Sequence, residues 1–158
     1  MARQLDRQGE FARAEPLWRQ CLNSNPARLS YFDRGGLVVN FSFNLIAQGK
    51  HADAYALLVE FEEMPLSPRH EIEAGYNRAV AARSIGRNEE ALAGLEAYAQ
   101  LFPRDASCQY LMGVCATDLE RWQVATTAFE TYLGLAPEAP EREAVLAKLA
   151  RLATELGE

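Results

Sequence analysis

The chain has 158 residues, 49% of them hydrophobic and 24% charged, with a net charge of −6. That is ample for one ordered domain with its own core, and the absence of any basic block argues against a nucleic-acid partner, because phosphate binding needs a basic footprint. No apolar stretch approaches the ~20 residues of a membrane helix, and the first residues lack the apolar segment of a signal peptide, so a cytoplasmic location without membrane insertion is expected. In chain order, a first helix of about eight residues is expected before the break at Gly9, and a second runs through Ala14 and Trp18 to Pro26. The apolar run Leu37-Val38-Val39, with its two β-branched valines, leads straight into a helical pattern that breaks at Gly49, and a helix with Ala54 and Leu58 follows, ending before Pro65. Tyr76, Ala79, Ala82 and Ile85 form one stripe, which Gly86-Arg87-Asn88 interrupts. Glu89 to Leu101 is the next helix, stopped by Pro103. Tyr110 to Asp118, a turn at Leu119-Glu120-Arg121, and Trp122 to Leu135 before Pro137 repeat that arrangement. A last helix is expected from Glu141 to Leu156.

These elements recur. Ala14, Ala91 and Ala125 are each followed four positions on by a bulky residue (Trp18, Leu95, Phe129) and twelve positions on by proline (Pro26, Pro103, Pro137). Ala54 has Leu58 at the same offset and Pro65 one position early. Ala91 and Ala125 stand 34 residues apart. A period of this size marks stacked two-helix units. Two helices cross closely only where side chains are small, the bulky residue fills the adjacent gap, and the proline ring clashes with the preceding turn and ends the helix. One pair cannot bury its apolar face alone, so neighbours stack. The spacing is uneven: Ala14 to Ala54 spans 40 residues and Ala54 to Ala91 spans 37. The additions fall at Ala27–Gly36 and around Pro65–His70, and are expected as loops between units.

The pattern resembles the tetratricopeptide repeat. Tyr76-Asn77, Ala79, Ala82, Gly86, Ala91, Leu95 and Pro103 fall on that family's positions, as do Asn40, Ser42, Leu45, Gly49, Ala54 and Leu58 in the second unit. Gly113, Trp122, Ala125, Phe129 and Pro137 match in the fourth, and Gly9, Phe11, Ala14, Trp18 and Pro26 close the first. The resemblance covers residues 1–139. It implies an all-α, right-handed superhelix (an α-α solenoid) of antiparallel helix pairs in a single domain, 1–158. The units would be about 1–26, 35–68, 72–105 and 106–139, with a C-terminal capping helix at 140–158. In that last helix Leu146 and Ala147 take the repeat's packing positions, while Val145, Leu149 and Leu152 form a stripe for packing on unit four. Two departures stand out. Arg78 takes a large apolar position, so its head must reach solvent or an acid. Glu120 replaces the turn glycine. The short first helix also suits a chain that is the binding part of a larger protein with a catalytic or membrane domain.

An active site is not expected. His51 and His70 fall in predicted turns or loops without a nucleophile at motif spacing, and no phosphate loop, HExxH, CxxC or GxSxG occurs. The adjacent acids Glu62-Glu63 and Glu89-Glu90 diverge by about 100° on a helix and read as solvated faces. Cys21, Cys108 and Cys115 are odd in number and lack metal-ligand spacing, as suits a reducing compartment. No metal or cofactor is expected.

The resemblance implies that the first helix of each unit lines a concave binding groove. Carried over by register, the inward positions are Arg3 and Arg7, then Val39, Phe43 and Ala47, then Tyr76, Val80, Arg83 and Ser84. Tyr110, Val114, Thr117 and Asp118 follow, and Lys148 and Arg151 on the last helix. This reads as an apolar floor with basic ends. The ten positions expected to contact a partner are Val39, Phe43, Tyr76, Val80, Arg83, Tyr110, Val114, Asp118, Lys148 and Arg151. The implied function is a scaffold or adaptor that binds a protein or peptide partner, with homo-oligomerisation also open. A carboxylate clamp for chaperone C-termini is disfavoured, because the apolar and aromatic groove residues leave no cation beside Asn40 and Asn77. The alternative is a chaperone of the bacterial type III translocator class.

Overall fold

The computed structural model describes residues 1–24 and 31–157, with the side chains of 31–33 excepted. Pro26 and the stretch 25–30, where part of the first addition was expected, lie outside the described residues. The described residues form helices joined by short turns, without strands, and fall into two compact units, Met1–Gly86 and Arg87–Glu158.

The first unit holds α1 (Ala2–Arg7), α2 (Phe11–Asn23), α3 (Tyr31–Ala47), α4 (His51–Glu60) and α5 (Pro68–Ser84). The second holds α6 (Asn88–Leu101), α7 (Ala106–Asp118), α8 (Trp122–Leu135) and α9 (Arg142–Leu156). The turn inside each repeat is closed by a residue with positive φ: Gly9 at 74°, Gly49 at 72°, Gly86 at 83° and Glu120 at 56°. Three of these turns also share a backbone bond in which the next N–H reaches back five residues: Glu10 to Leu5, Lys50 to Leu45 and Arg121 to Ala116, at 2.9, 2.9 and 2.8 Å. Glu120 therefore carries a side chain in the conformation that favours glycine. At the other end of the unit, Phe102 and Ala136 leave the helical region just before Pro103 and Pro137, as the proline ring requires.

The repeat alanines do what their size allows. Ala14, Ala54, Ala91 and Ala125 are all fully buried, and Trp18, Leu58, Leu95 and Phe129 beside them are at most 5% exposed. Ser42 on α3 and Gly113 on α7 supply the small residues opposite α4 and α8 and are likewise buried, as is Ala79 on α5. At Gly113 a Cβ would sit 2.6 Å from the Phe129 ring, so only glycine admits this crossing. Ile85, expected on the α5 stripe, lies past the helix end and is exposed.

Two expectations change. The addition at Pro65–His70 is largely helical: Ser67 caps α5, accepting a hydrogen bond from the His70 N–H at 3.3 Å, with Pro68 as its first residue. The described part of the other addition, 31–36, likewise belongs to α3. Both helices thus gain about a turn over the 13 residues of α7. Arg78 behaves as its stem and head demand. Its guanidinium bonds Glu62 at 2.6 Å and lies over the Tyr55 ring at 5.9 Å.

Polar ties set the first unit's geometry. Asp6 on α1 accepts from Trp18 Nε1 at 2.8 Å and from Asn44 Nδ2 at 2.6 Å, and Asn44 also donates to the Phe11 carbonyl. Asn77 on α5 donates to Val39 O and Ser42 Oγ of α3, at 3.2 and 2.9 Å. These groups are buried or half-buried, and each bond meets a need that water cannot. In the second unit α9 packs on α8 through Val145 and Leu152, both nearly fully buried, with Leu149 half-buried. Tyr132 Oη donates to Glu141 at its start, at 3.1 Å. Leu146 and Ala147, given to packing by the repeat pattern, are exposed. Cys108 and Cys115 are buried, and burial, then Asp105, pushes the Cys108 thiol up to about 12.

Candidate functional site

A cleft of about 610 Å³ opens in the first unit. Its walls are α1, with Arg3, Asp6 and Arg7, and the first turns of α5, with Arg69, His70 and Glu73. Between them lie Asn40 and Phe43 of α3, and Phe11 at the start of α2. Helical periodicity explains the grouping: Arg3 and Arg7 are one turn apart, as are Asn40 and Phe43. The floor is aromatic. Phe43 is 51% exposed and meets Phe11 edge to face, with ring centroids 6.2 Å apart.

The α5 wall stands close because α3 carries two glycines there. A Cβ on Gly35 would lie 2.6 Å from His70 Nδ1, and one on Gly36 would meet Arg3 at 3.1 Å and the His70 ring at 3.6 Å. The imidazole therefore lies against bare backbone, and its Nδ1 is buried with no hydrogen-bond partner among the described residues.

Charge in the cleft is unevenly satisfied. Glu73 accepts from Arg69 at 2.8 Å, and Asp6 is occupied by Trp18 and Asn44. Arg3 and Arg7 are exposed and have no ion pair or hydrogen-bond partner for their side chains among the described residues. Elsewhere in the first unit, Glu15 accepts from Lys50, Arg19 and Gln48. The hydrogen bond from Lys50 leads in holding its carboxyl down from 4.5 to about 2, against the opposing effect of burial.

Of the expected contact residues, Phe43 lines this cleft, together with Arg3 and Arg7 from the inward-facing set. Val39, Tyr76, Val80 and Arg83 belong to the same unit but do not line it. Val39 is only 8% exposed, so its side chain is spent on packing. Val80 and Arg83 are half-buried, and the Arg83 Nε is buried without a partner among the described residues. In the second unit Tyr110 packs on Phe129 and Tyr132, with centroids 6.1 and 5.2 Å away, which gives it a structural role on α7. Val114 and Lys148 are half-buried, while Asp118 and Arg151 are exposed. Among the described residues no group of three or more His, Cys, Asp or Glu is placed to hold a metal, and no helix is long and apolar enough to cross a membrane.

Sequence reasoning missed Arg69 and His70 by leaving their segment as a loop, and gave Glu73, at the start of the third unit, no role. The signal was present in Ser67-Pro68, an N-cap residue followed by proline, which marks a helix start. Asp6 gave no signal, because its role rests on Trp18 and Asn44, which are distant in sequence.

No protein-family model and no curated protein matches the chain. Solved structures do. The structure of MamA 41-end from Desulfovibrio magneticus RS-1 aligns over 99% of this chain and 81% of its own, at 17% identity and a TM-score of 0.77. The fold is that of a tetratricopeptide-like helical repeat. A type III secretion complex from Aeromonas hydrophila covers 79% of this chain and 84% of its own, at 16% identity and a TM-score of 0.63. PcrH, solved in complex with the chaperone binding region of PopB, covers 79% of this chain and 98% of its own, at 20% identity and a TM-score of 0.57.

Proposed function

We propose that this chain is a protein-binding scaffold that holds a segment of a partner protein against the first helices of its repeats. The observation that carries the reading is Phe43. The first unit has its own filled core, yet this ring stands half in solvent on the floor of a 610 Å³ cleft. Aromatic rings exposed in concave sites serve as anchors at interfaces. Val80, Arg83, Val114, Asp118, Lys148 and Arg151 are proposed as further contacts, each retaining exposed surface. Tyr76 is proposed with them, and Val39 and Tyr110 as supports beneath the contact surface. The fold likeness to PcrH, itself solved with a peptide region of PopB, supports a segment as the bound form.

A photo-crosslinking residue in place of Phe43, with cross-linked proteins identified by mass spectrometry, tests the reading. One defined partner should be trapped at position 43 and not at Val59, an exposed apolar residue on α4 outside the cleft. Trapping at position 59 alone would move the working surface elsewhere. A narrower reading, a chaperone of the secretion-translocator class, is favoured by the fold likeness to the Aeromonas type III secretion complex and to PcrH, solved with the chaperone binding region of PopB. It requires the trapped partner to be a hydrophobic, membrane-active subunit that becomes insoluble when expressed alone.

A further inference from the structure

We infer that the cleft of the first unit selects an acidic partner segment, one that sets a large apolar side chain on Phe43 and carboxylates on Arg3 and Arg7. This rests on the reading of the cleft as a binding surface and names the chemistry of its occupant. The lining contains three arginines and two carboxylates. The carboxylates are engaged internally: Glu73 by Arg69, and Asp6 by the indole of Trp18 and the amide of Asn44. Arg69 offsets Glu73, and both Asp6 oxygens carry hydrogen bonds, so the three arginines outnumber the two carboxylates by one positive charge. Arg3 and Arg7 are the reverse, exposed and unpaired among the described residues.

Their spacing sharpens the point. At i and i+4 on α1 they form a like-charge pair on one face, which works against the helix unless an anion lies between them. Asp6, on the same helix, is turned to α2 and α3 and does not neutralise them through any direct bond. The guanidinium fork matches a carboxylate bidentately, so two arginines one turn apart suit a run of acidic side chains. The half-exposed Phe43 ring lies in the same cleft and requires an apolar group beside those acids. The rest of the protein argues the same way. Its net charge is −6, so a cleft with surplus arginine is a local exception, and the acidic surface elsewhere turns an acidic partner toward it.

The test uses three fluorescein-labelled synthetic peptides of equal length, followed by anisotropy with the full chain. One has a central Phe-Leu pair flanked by glutamates. A second has lysine for every glutamate, and a third keeps the glutamates around Gly-Ser. The first should bind about tenfold more tightly than either of the others. The double variant Arg3→Glu with Arg7→Glu, both positions exposed, should keep its helical circular dichroism and reverse the preference between the first two peptides. Phe43→Ala should weaken the first and second alike. Equal binding of the glutamate and lysine peptides, or a preference that survives the double arginine variant, overturns acidic selection while leaving the cleft as a binding surface. Tight binding of the Gly-Ser peptide overturns the apolar half of the inference. No binding by either Phe-Leu peptide overturns the reading of the cleft itself.

Discussion

Replacing Gly113 by alanine sets two effects of opposite sign against each other. Alanine in a helix interior is favoured over glycine by about 1 kcal/mol. Here the new methyl would lie 2.6, 2.7 and 2.9 Å from three carbons of the Phe129 ring. That ring is fully buried and packed edge to face on Tyr110, so it cannot step aside without disturbing the α7–α8 crossing. Overpacking of this kind costs about 1–3 kcal/mol, occasionally more. The clash should win, and Gly113→Ala should destabilise the protein by up to about 2 kcal/mol net. Phe129→Ala alone should cost about 3–5 kcal/mol. In the Phe129→Ala background the obstacle is gone and the same Gly113→Ala change should become stabilising by about 0.5–1 kcal/mol. Urea unfolding of the four proteins gives the cycle, and a coupling of about 1–3 kcal/mol, the overpacking cost itself, is expected. If Gly113→Ala stabilises the protein with Phe129 in place, the helices do not cross as closely as described and the argument for the repeat's small residues fails.

Glu120→Gly should stabilise by about 0.5–1 kcal/mol, because relief of the left-handed conformation outweighs the added freedom of the unfolded chain. A lower midpoint in thermal or urea unfolding would contradict the φ of 56° assigned to this turn. Glu15 makes the protein sensitive to acid. Its folded pKa of about 2 lies below the ordinary 4.5, so its contribution is complete above pH 4.5 and is lost as pH falls toward 2. The shift is worth about 3 kcal/mol by linkage, reduced to about 1–2 kcal/mol because Lys50 and Arg19 are half in solvent and screened. Stability measured against pH should fall more gently over that window in Glu15→Gln, and a parallel decline in both proteins would refute the assignment.

The helix pairs and their repeat positions were legible in the sequence, because each reports a local property. Alanine or glycine is needed where two backbones approach, glycine where φ turns positive, and proline where a helix must stop. Ala91, Leu95 and Pro103 therefore announce their roles without any knowledge of the partner helix. Glu120 could be recognised as standing in for a glycine on the same ground. The helix starts were harder to read. Ser67-Pro68 is a start signal, but the repeat's register drew the boundary later and left His70 in a loop. The groove positions were legible only as a face. Register places Val39 and Phe43 four residues apart on α3, yet one is packed and the other half-exposed.

Sequence alone thus determined that the chain forms paired helices with small residues at their crossings and basic residues toward its start. Tertiary structure decided what meets in the cleft. His70 lies on the bare backbone of Gly35 and Gly36, Asp6 is taken by Trp18 and Asn44, and Arg3 and Arg7 stand unpaired beside Phe43. These contacts join residues up to 38 positions apart. They depend on how each helix is rotated against its neighbour, and helical periodicity fixes a residue's face within its own helix but not which side chain of another helix will face it.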